Sequence, residues 1–322
     1  MSKIYVIGIG PGAYDQMTGK AIRAMNESDA IIGYTVYVDL VKEYFPGKEF
    51  MTTPMKKEVD RCVLAFEEAK KGKIVSMICS GDAGVYGMAG LMYEVGVNYP
   101  ETELEIIPGV TAATGGAAVL GAPLIHDFCL ISLSDLLTPW EKIEARLLAA
   151  AQADFVVCLY NPSSKKRHDY LQKACDLMMK YKSPDTICGT VSNIAREGEE
   201  AHVMTLKELR DTQVDMFTTV FIGNSQTKEI NNKMVTPRGY RNVIKFLFLR
   251  EQQKDTKSAG FWQITGYRQR DLLPQSMAAN PLQKMNFLLF RPEDWMQQPW
   301  RRPFYRRNRK WCWMLLILML LR

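Results

Sequence analysis

Gly8, Gly10 and Gly12, with Pro11 among them, close a short apolar run in the stretch VIGIGPGAYDQMT, residues 6–18. Glycine-rich turns after strands leave backbone N–H groups free to meet a ligand, and the first use to consider is a dinucleotide pyrophosphate. The spacing excludes it, because Asp15 stands where the G-x-G-x-x-G fingerprint wants its third glycine. Pro11 also removes one N–H from the turn. Three more segments of the same character follow: SGDAGVYG at Ser80–Gly87, PGVTAA at Pro108–Ala113 and YNPSSKKR at Tyr160–Arg167. Farther from any glycine turn, His126 and Asp127 are adjacent titratable residues, suited either to proton transfer or to an ordinary turn after Pro123.

The elements that must position these segments are short apolar runs at Ile4–Ile9, Ile74–Cys79, Leu104–Ile107, Phe155–Tyr160, Thr186–Val191 and Thr218–Ile222. Helical patterns at Lys56–Lys71 and Lys166–Tyr181 alternate with them, which predicts α/β units with a largely parallel sheet. Open α/β sheets bind ligands at the carboxyl ends of strands, where the glycine segments fall. The small-residue stretch around Pro108–Pro123 predicts a change of subdomain near residue 120. The expected organisation is an N-terminal α/β subdomain over 1–120, a C-terminal one over 121–241 and a tail over 242–322.

Charge separates the tail from the rest. The 322-residue chain holds 41 Lys+Arg against 35 Asp+Glu, and 15 of those bases but only 5 of those acids lie beyond residue 241. The first 241 residues are therefore acidic by four charges and the tail basic by ten. Six of the seven cysteines stand singly before residue 242 with no C-x-x-C pair, which argues against zinc, iron–sulfur or thioredoxin-like chemistry and for reduced thiols. No metal site is expected. No secretory signal is visible after Met1, and the apolar run Met314–Leu321 is far below the ~20 residues a membrane span requires. The expected location is cytoplasmic, with no nucleic-acid or membrane partner.

Taken together and in order, GIGPG, SGDAGVYG, PGVTAA and YNPSSKKR closely resemble the tetrapyrrole (corrin/porphyrin) methylases. HDFCLISLSDLLTPWE at His126–Glu141 is similar to the branch that methylates C17 of a precorrin-3-type macrocycle and contracts the ring in cobalamin biosynthesis. The resemblance covers residues 1 to about 241. It implies a tetrapyrrole methylase fold of two α/β subdomains with the active-site cleft between them, S-adenosylmethionine as methyl donor, precorrin-3B or its cobalt form as substrate, and a homodimer. It implies cofactor contacts at Gly81, Asp82 and Val85, then Thr111 and Ala112, Asn161 and Ile194, with Pro11 grouped beside them. This chain has Ala83 where family members usually have proline.

A substrate rich in acetate and propionate groups calls for cations and N–H donors. The substrate contacts expected are Gly10 and Gly12 in the first loop, Ser132, Ser134, Lys165 and Arg196. Lys165 to Arg167 is equally a solvated charged face, and Ser134 equally the N-cap of the helix in LLTPWEKIEARLLAAA. Asp15 is read as capping the helix after the first loop. Methyl transfer needs alignment above all, whereas ring contraction moves protons, and His126 with Asp127 is the pair nominated for that step. The alternatives are a methylase of the same fold acting at another ring position and a non-catalytic tetrapyrrole-binding protein.

The tail does not continue the pattern, and five of the six tryptophans lie in it. Back-translated from Lys245 and read one base out of phase, it resembles the glycine-rich opening of a precorrin-6 reductase, which implies a frame change in a methylase–reductase fusion. The rival reading is a basic amphiphilic segment built on Arg301–Arg309 and Trp311–Leu321.

Overall fold

The computed structural model describes residues 2–164 and 167–240, together with two short strands at 249–251 and 262–264. Contacts divide the chain into a unit over Met1–Arg241 and a second over Asn242–Arg322. In the second unit the described part is β14 (Leu249–Glu251) paired antiparallel with β15 (Trp262–Ile264). The frame-shift and amphiphilic readings of the tail otherwise lie outside the described residues.

The first half of the larger unit is a parallel sheet of β1 (Ser2–Gly8), β2 (Ala30–Tyr34), β3 (Glu49–Thr53), β4 (Ile74–Cys79) and β5 (Thr102–Ile107), in the order β3-β2-β4-β1-β5. Strands buried on both faces read as continuous apolar runs, and Ile4, Val6 and Ile7 of β1 are fully buried. Alternate residues feed opposite layers. Ile4 and Val6 pack with Phe66 and Met92, from α3 (Glu58–Lys70) and α4 (Ala89–Gly96). Tyr5 and Ile7 pack with Ala21 and Val38, from α1 (Gly19–Glu27) and α2 (Thr35–Val41). The neighbouring strands β1 and β4 thus send their chains to opposite faces, which opens a crevice beyond their carboxyl ends.

Helix α5 (Ala112–Leu120) leaves the first sheet and packs on the second through Ala113, Ala117 and Leu120 against Cys158, Val191 and Phe221. Its glycines permit that approach: a Cβ on Gly116 would stand 2.9 Å from Phe221 Cζ and 3.0 Å from Ile194 Cδ1. The short β6 (Gly121–Ala122) follows and joins a small sheet with β12 (Lys228–Ile230) and β13 (Lys233–Val235).

The second large sheet has the order β10-β9-β11-β8-β7, from β7 (Phe128–Ser132), β8 (Val156–Tyr160), β9 (Ile187–Ser192), β10 (Glu200–Thr205) and β11 (Thr218–Ile222). Its other face carries α6 (Trp140–Gln152), α7 (Tyr170–Met178) and α8 (Leu206–Asp211). The expectation of largely parallel pairing fails here. Only β7 and β8 are parallel; β11 runs antiparallel to both β8 and β9, and β10 to β9. After β8 and α7 the chain returns through a hairpin-like β9 and β10, and antiparallel strands need no crossover helix between them.

Two capping expectations are also corrected. Thr18, not Asp15, caps α1, its side chain accepting from Ala21 N at 3.1 Å, while Asp15 lies in the 3₁₀ turn Tyr14–Gln16. Helix α6 begins at Trp140 after Pro139, too late for Ser134 to cap it.

Candidate active site

The carboxyl ends of both large sheets face one cleft of about 200 Å³. Because β7, β8 and β9 share a direction, their ends bring Ser132, Tyr160-Asn161 and Asn193-Ile194 to the same rim, where β11 begins at Thr218. From the first sheet come the segments after β1, β4 and β5, with Tyr37 from α2. Pro11, Gly81, Asp82, Val85, Thr111, Ala112, Asn161, Ile194 and Arg196 all line this space.

The three glycine turns interlock. Gly10 and Gly81 exchange backbone hydrogen bonds, Gly10 N to Gly81 O at 3.0 Å and Gly81 N to Gly10 O at 2.7 Å. Both have positive φ, +78° and +68°, a conformation that glycine adopts without steric cost. Asp82 ties the second turn to the third: its Oδ1 accepts from Gly84 N and Val85 N at 2.8 and 3.2 Å, its Oδ2 from Gly109 N at 2.9 Å. A Cβ added to Gly81 would project to 3.7 Å from both Thr111 Cα and Ala112 N, so the glycine keeps the gap between the two turns free.

Tyr160 fixes the opposite wall. Its hydroxyl lies 2.6 Å from Thr111 Oγ1 and accepts from Ala113 N at 2.8 Å, which satisfies one open donor of the first turn of α5. Burial pushes the phenol above its ordinary value, opposed by these two hydrogen bonds. The Tyr86 ring leans on it at 5.3 Å, and Tyr86 Oη donates to Leu130 O at 3.0 Å. Asn161 and Asn193 end β8 and β9 at φ of +52° and +49°, in the left-handed region that asparagine enters more readily than most residues.

Arg196 reaches across the cleft from the second half to the first. Its Nε donates to Pro11 O at 2.8 Å and an Nη to Ser80 Oγ at 3.0 Å. Burial draws the guanidinium below its ordinary value, and among the described residues no carboxylate forms an ion pair with it. An uncompensated, partly desolvated arginine in a cleft is an anion receptor.

The other expected substrate contacts stand back from this space. Gly10 and Gly12 are frame, not wall; Gly12 leaves room for Arg196, since a Cβ there would run into the Arg196 Cγ and stand 3.0 Å from its Nε. Ser132 lies one layer behind, its Oγ accepting from Asn161 Nδ2 at 3.0 Å. Ser134 Oγ accepts from Arg167 Nη1 at 2.7 Å, and Asp135 accepts from Tyr170 Oη at 2.7 Å, so this loop is pinned by α7 and its approach. Lys165 lies outside the described residues.

His126 and Asp127 are not at the cleft, and the catalytic expectation for them is withdrawn. They precede the amino end of β7, whereas the cleft lies past Ser132 at its carboxyl end, about 20 Å away at the rise of an extended strand. His126 Nδ1 is instead 3.4 Å from Asn224 Nδ2, beyond the far end of β11. Tyr160, Tyr86, Tyr37 and Thr219 line the cleft without having been singled out. Tyr160 and Tyr86 lie within quoted motifs, YNPSSKKR and SGDAGVYG; Tyr37 and Thr219 carry no local signal.

Among the described residues no group of His, Cys, Asp and Glu is arranged to hold a metal, and no helix is long and apolar enough to cross a membrane. Comparison with known proteins matches residues 3–210 to the family of tetrapyrrole (corrin/porphyrin) methylases. A cobalt-factor III methyltransferase of Priestia megaterium is 45% identical over 86% of this chain and 52% of its own length, so the chain spans about half of that relative. That match reaches past residue 241. A probable cobalt-factor III C(17)-methyltransferase of Salmonella typhimurium is 47% identical over 73% of this chain and 98% of its own length. The crystal structure of the methyltransferase CobJ superposes with a TM-score of 0.68 at 34% identity, covering 74% of this chain and all of that one. With more than half of its length matched by the family, the chain belongs to the tetrapyrrole (corrin/porphyrin) methylases.

Proposed function

We propose that the protein methylates C17 of cobalt-factor III or the corresponding precorrin-3-type tetrapyrrole, with ring contraction, using S-adenosylmethionine in cobalamin biosynthesis. The observation that carries the reading is the convergence of Gly81–Val85, Thr111–Ala112 and Asn161 on one cleft with the uncompensated Arg196 at its edge, in a chain aligned with nearly the whole of a relative named for C17 methylation.

The donor set fits the cofactor. A zwitterionic amino-acid end and an adenosine need backbone polar groups and little bulk, and the Gly81 gap facing Thr111 and Ala112 supplies both. When bound, S-adenosylmethionine supplies an electrophilic methyl group on a sulfonium. The chain's own part is alignment: Asp82 holds the two turns in register, Tyr160 sets the start of α5, and Arg196 receives an anionic group of the macrocycle. No step here requires the chain to act as nucleophile.

Incubating the full chain with S-adenosylmethionine and cobalt-factor III and weighing the product tests the proposal. A gain of one methyl group is expected; an unchanged macrocycle in the presence of bound cofactor overturns it. A cytoplasmic homodimer belongs to the same reading, for which the exposed apolar side chains of Val97 and Leu137 are available surface. Sedimentation of the full chain at micromolar concentration as a monomer would remove that part.

A further inference from the structure

Tyr37 is the one aromatic of the cleft wall whose hydroxyl makes no hydrogen bond among the described residues. Its counterparts are both engaged, Tyr86 with Leu130 O and Tyr160 with Thr111 and Ala113. Tyr37 sits in α2, immediately after β2, and its ring packs edge-on against Tyr34 at 5.3 Å, which fixes its direction. The half-buried phenol opens onto the cleft with its hydrogen-bonding capacity unused by the protein, which leaves it to meet a ligand atom there.

The surroundings are cationic. Arg196 is near enough for its charge to oppose the burial that pushes the Tyr37 phenol upward. Only two of the five guanidinium N–H donors of Arg196 are used, on Pro11 O and Ser80 Oγ. Arg61 lies behind, 5.9 Å from the Tyr34 ring, and donates to Thr53 Oγ1 and to the carbonyls of Thr53 and Pro54. Neither arginine has an acidic partner among the described residues. A phenol that stays protonated beside an arginine with open donors offers converging hydrogen bonds to one oxyanion.

We propose, on the reading of a tetrapyrrole methylase above, that Tyr37 and Arg196 together form a carboxylate-receiving site that holds one acidic side chain of the macrocycle. In the sheet order β2-β4-β1-β5, the turn with Thr111 follows β5 and Tyr37 follows β2, three strand spacings apart, about 14 Å, with the Gly81–Val85 turn after β4 between them. The proposed site therefore lies at the β2 side of the cleft, away from the Thr111 turn and next to the Gly81–Val85 turn.

The test is absorbance titration of cobalt-factor III into the full-length protein, which needs no turnover and so stands apart from the methylation assay. Tyr37→Phe removes one hydroxyl and keeps the packing against Tyr34. It is expected to weaken tetrapyrrole binding about tenfold, in the range of one hydrogen bond to a charged group, while calorimetry with S-adenosylmethionine changes less than twofold. Arg196→Lys should retain more affinity than Arg196→Gln, and Tyr37→Phe combined with Arg196→Gln should lose less than the product of the single effects, because both grip the same group. The fully esterified macrocycle should bind the wild type more weakly and be indifferent to Tyr37→Phe. Unchanged tetrapyrrole affinity in Tyr37→Phe, or a parallel loss of cofactor affinity, overturns the site. Binding without methylation by the wild type would fail the proposed function and leave the site standing.

Discussion

Tyr160 concentrates more of the site's geometry than any glycine in it. One phenol oxygen holds both the Thr111 side chain and the Ala113 N–H, so Tyr160→Phe leaves a helix-start donor without its acceptor and frees the Thr111 wall. The expected cost is about 1–3 kcal/mol of stability, the penalty of an unsatisfied buried group, with a roughly tenfold loss of S-adenosylmethionine affinity. Thermal unfolding and calorimetry on the same sample check the two, and an unaltered affinity would mean that Thr111 does not touch the cofactor. Much of this wall was legible in the sequence, because Gly81, Asp82, Thr111 and Asn161 are small or turn-forming residues placed directly after strands. Tyr37 was not, since TVYVDLV reads as any half-buried helix and only the sheet order brings it to the cleft. His126 misled for the converse reason: its chemistry suited the task, and β7, the strand it precedes, was not among the apolar runs, so its place at an amino end went unseen.

At the scale of elements, β4 and β11, buried on both faces, read cleanly and the apolar runs give their bounds directly, whereas β2, equally buried, was missed. Strand β3, with burial alternating between intermediate and exposed, and β10, half exposed, lack that run and were missed. The antiparallel turn of the second sheet was hidden as well, because pairing direction depends on the route between strands and not on their composition. The edge strand β5 matters most for function, since it ends in the turn that holds Gly109 against Asp82. Glu105 ties it inward, to Lys3 of β1 at 2.8 Å and Lys20 of α1 at 2.6 Å. These lysines hold its carboxyl down to about 2, from an ordinary 4.5. A depressed carboxyl contributes stability above 4.5 that is lost as pH falls toward 2, because the unfolded chain takes up the proton first. Melting temperature followed from pH 6 to pH 2 should therefore fall less steeply in Glu105→Gln than in the wild type. Parallel curves would show that the pair contributes nothing, as solvent-screened pairs often do.

Across the larger unit, the second sheet meets the cleft at one end and is tied together by its own side chains at the other. At this tied end Lys182, with a side chain 2% exposed, donates to Phe155 O and Gly223 O, both at 2.9 Å, and to Asp154 Oδ1 at 3.3 Å. Asp154 in turn accepts from the Ser225 backbone at 2.9 Å and its hydroxyl at 2.6 Å, so the turns before β8 and after β11 are locked together. A buried amine with every proton placed is a structural tie, and removing it strands two carbonyls and one carboxylate. Lys182→Met should cost about 3 kcal/mol, the low end for a broken buried pair because Asp154 is 43% exposed. The protein that remains folded should bind S-adenosylmethionine as before, since none of these groups reaches the cleft. His126→Ala, at the same tied end, should leave kcat/KM for cobalt-factor III within about twofold. These two variants separate the ends by different readouts, denaturation midpoint for the one and turnover for the other. If His126→Ala abolished turnover at unchanged stability, the far end would be acting on the substrate, and the division of the sheet into a working end and a locked end would have to be given up.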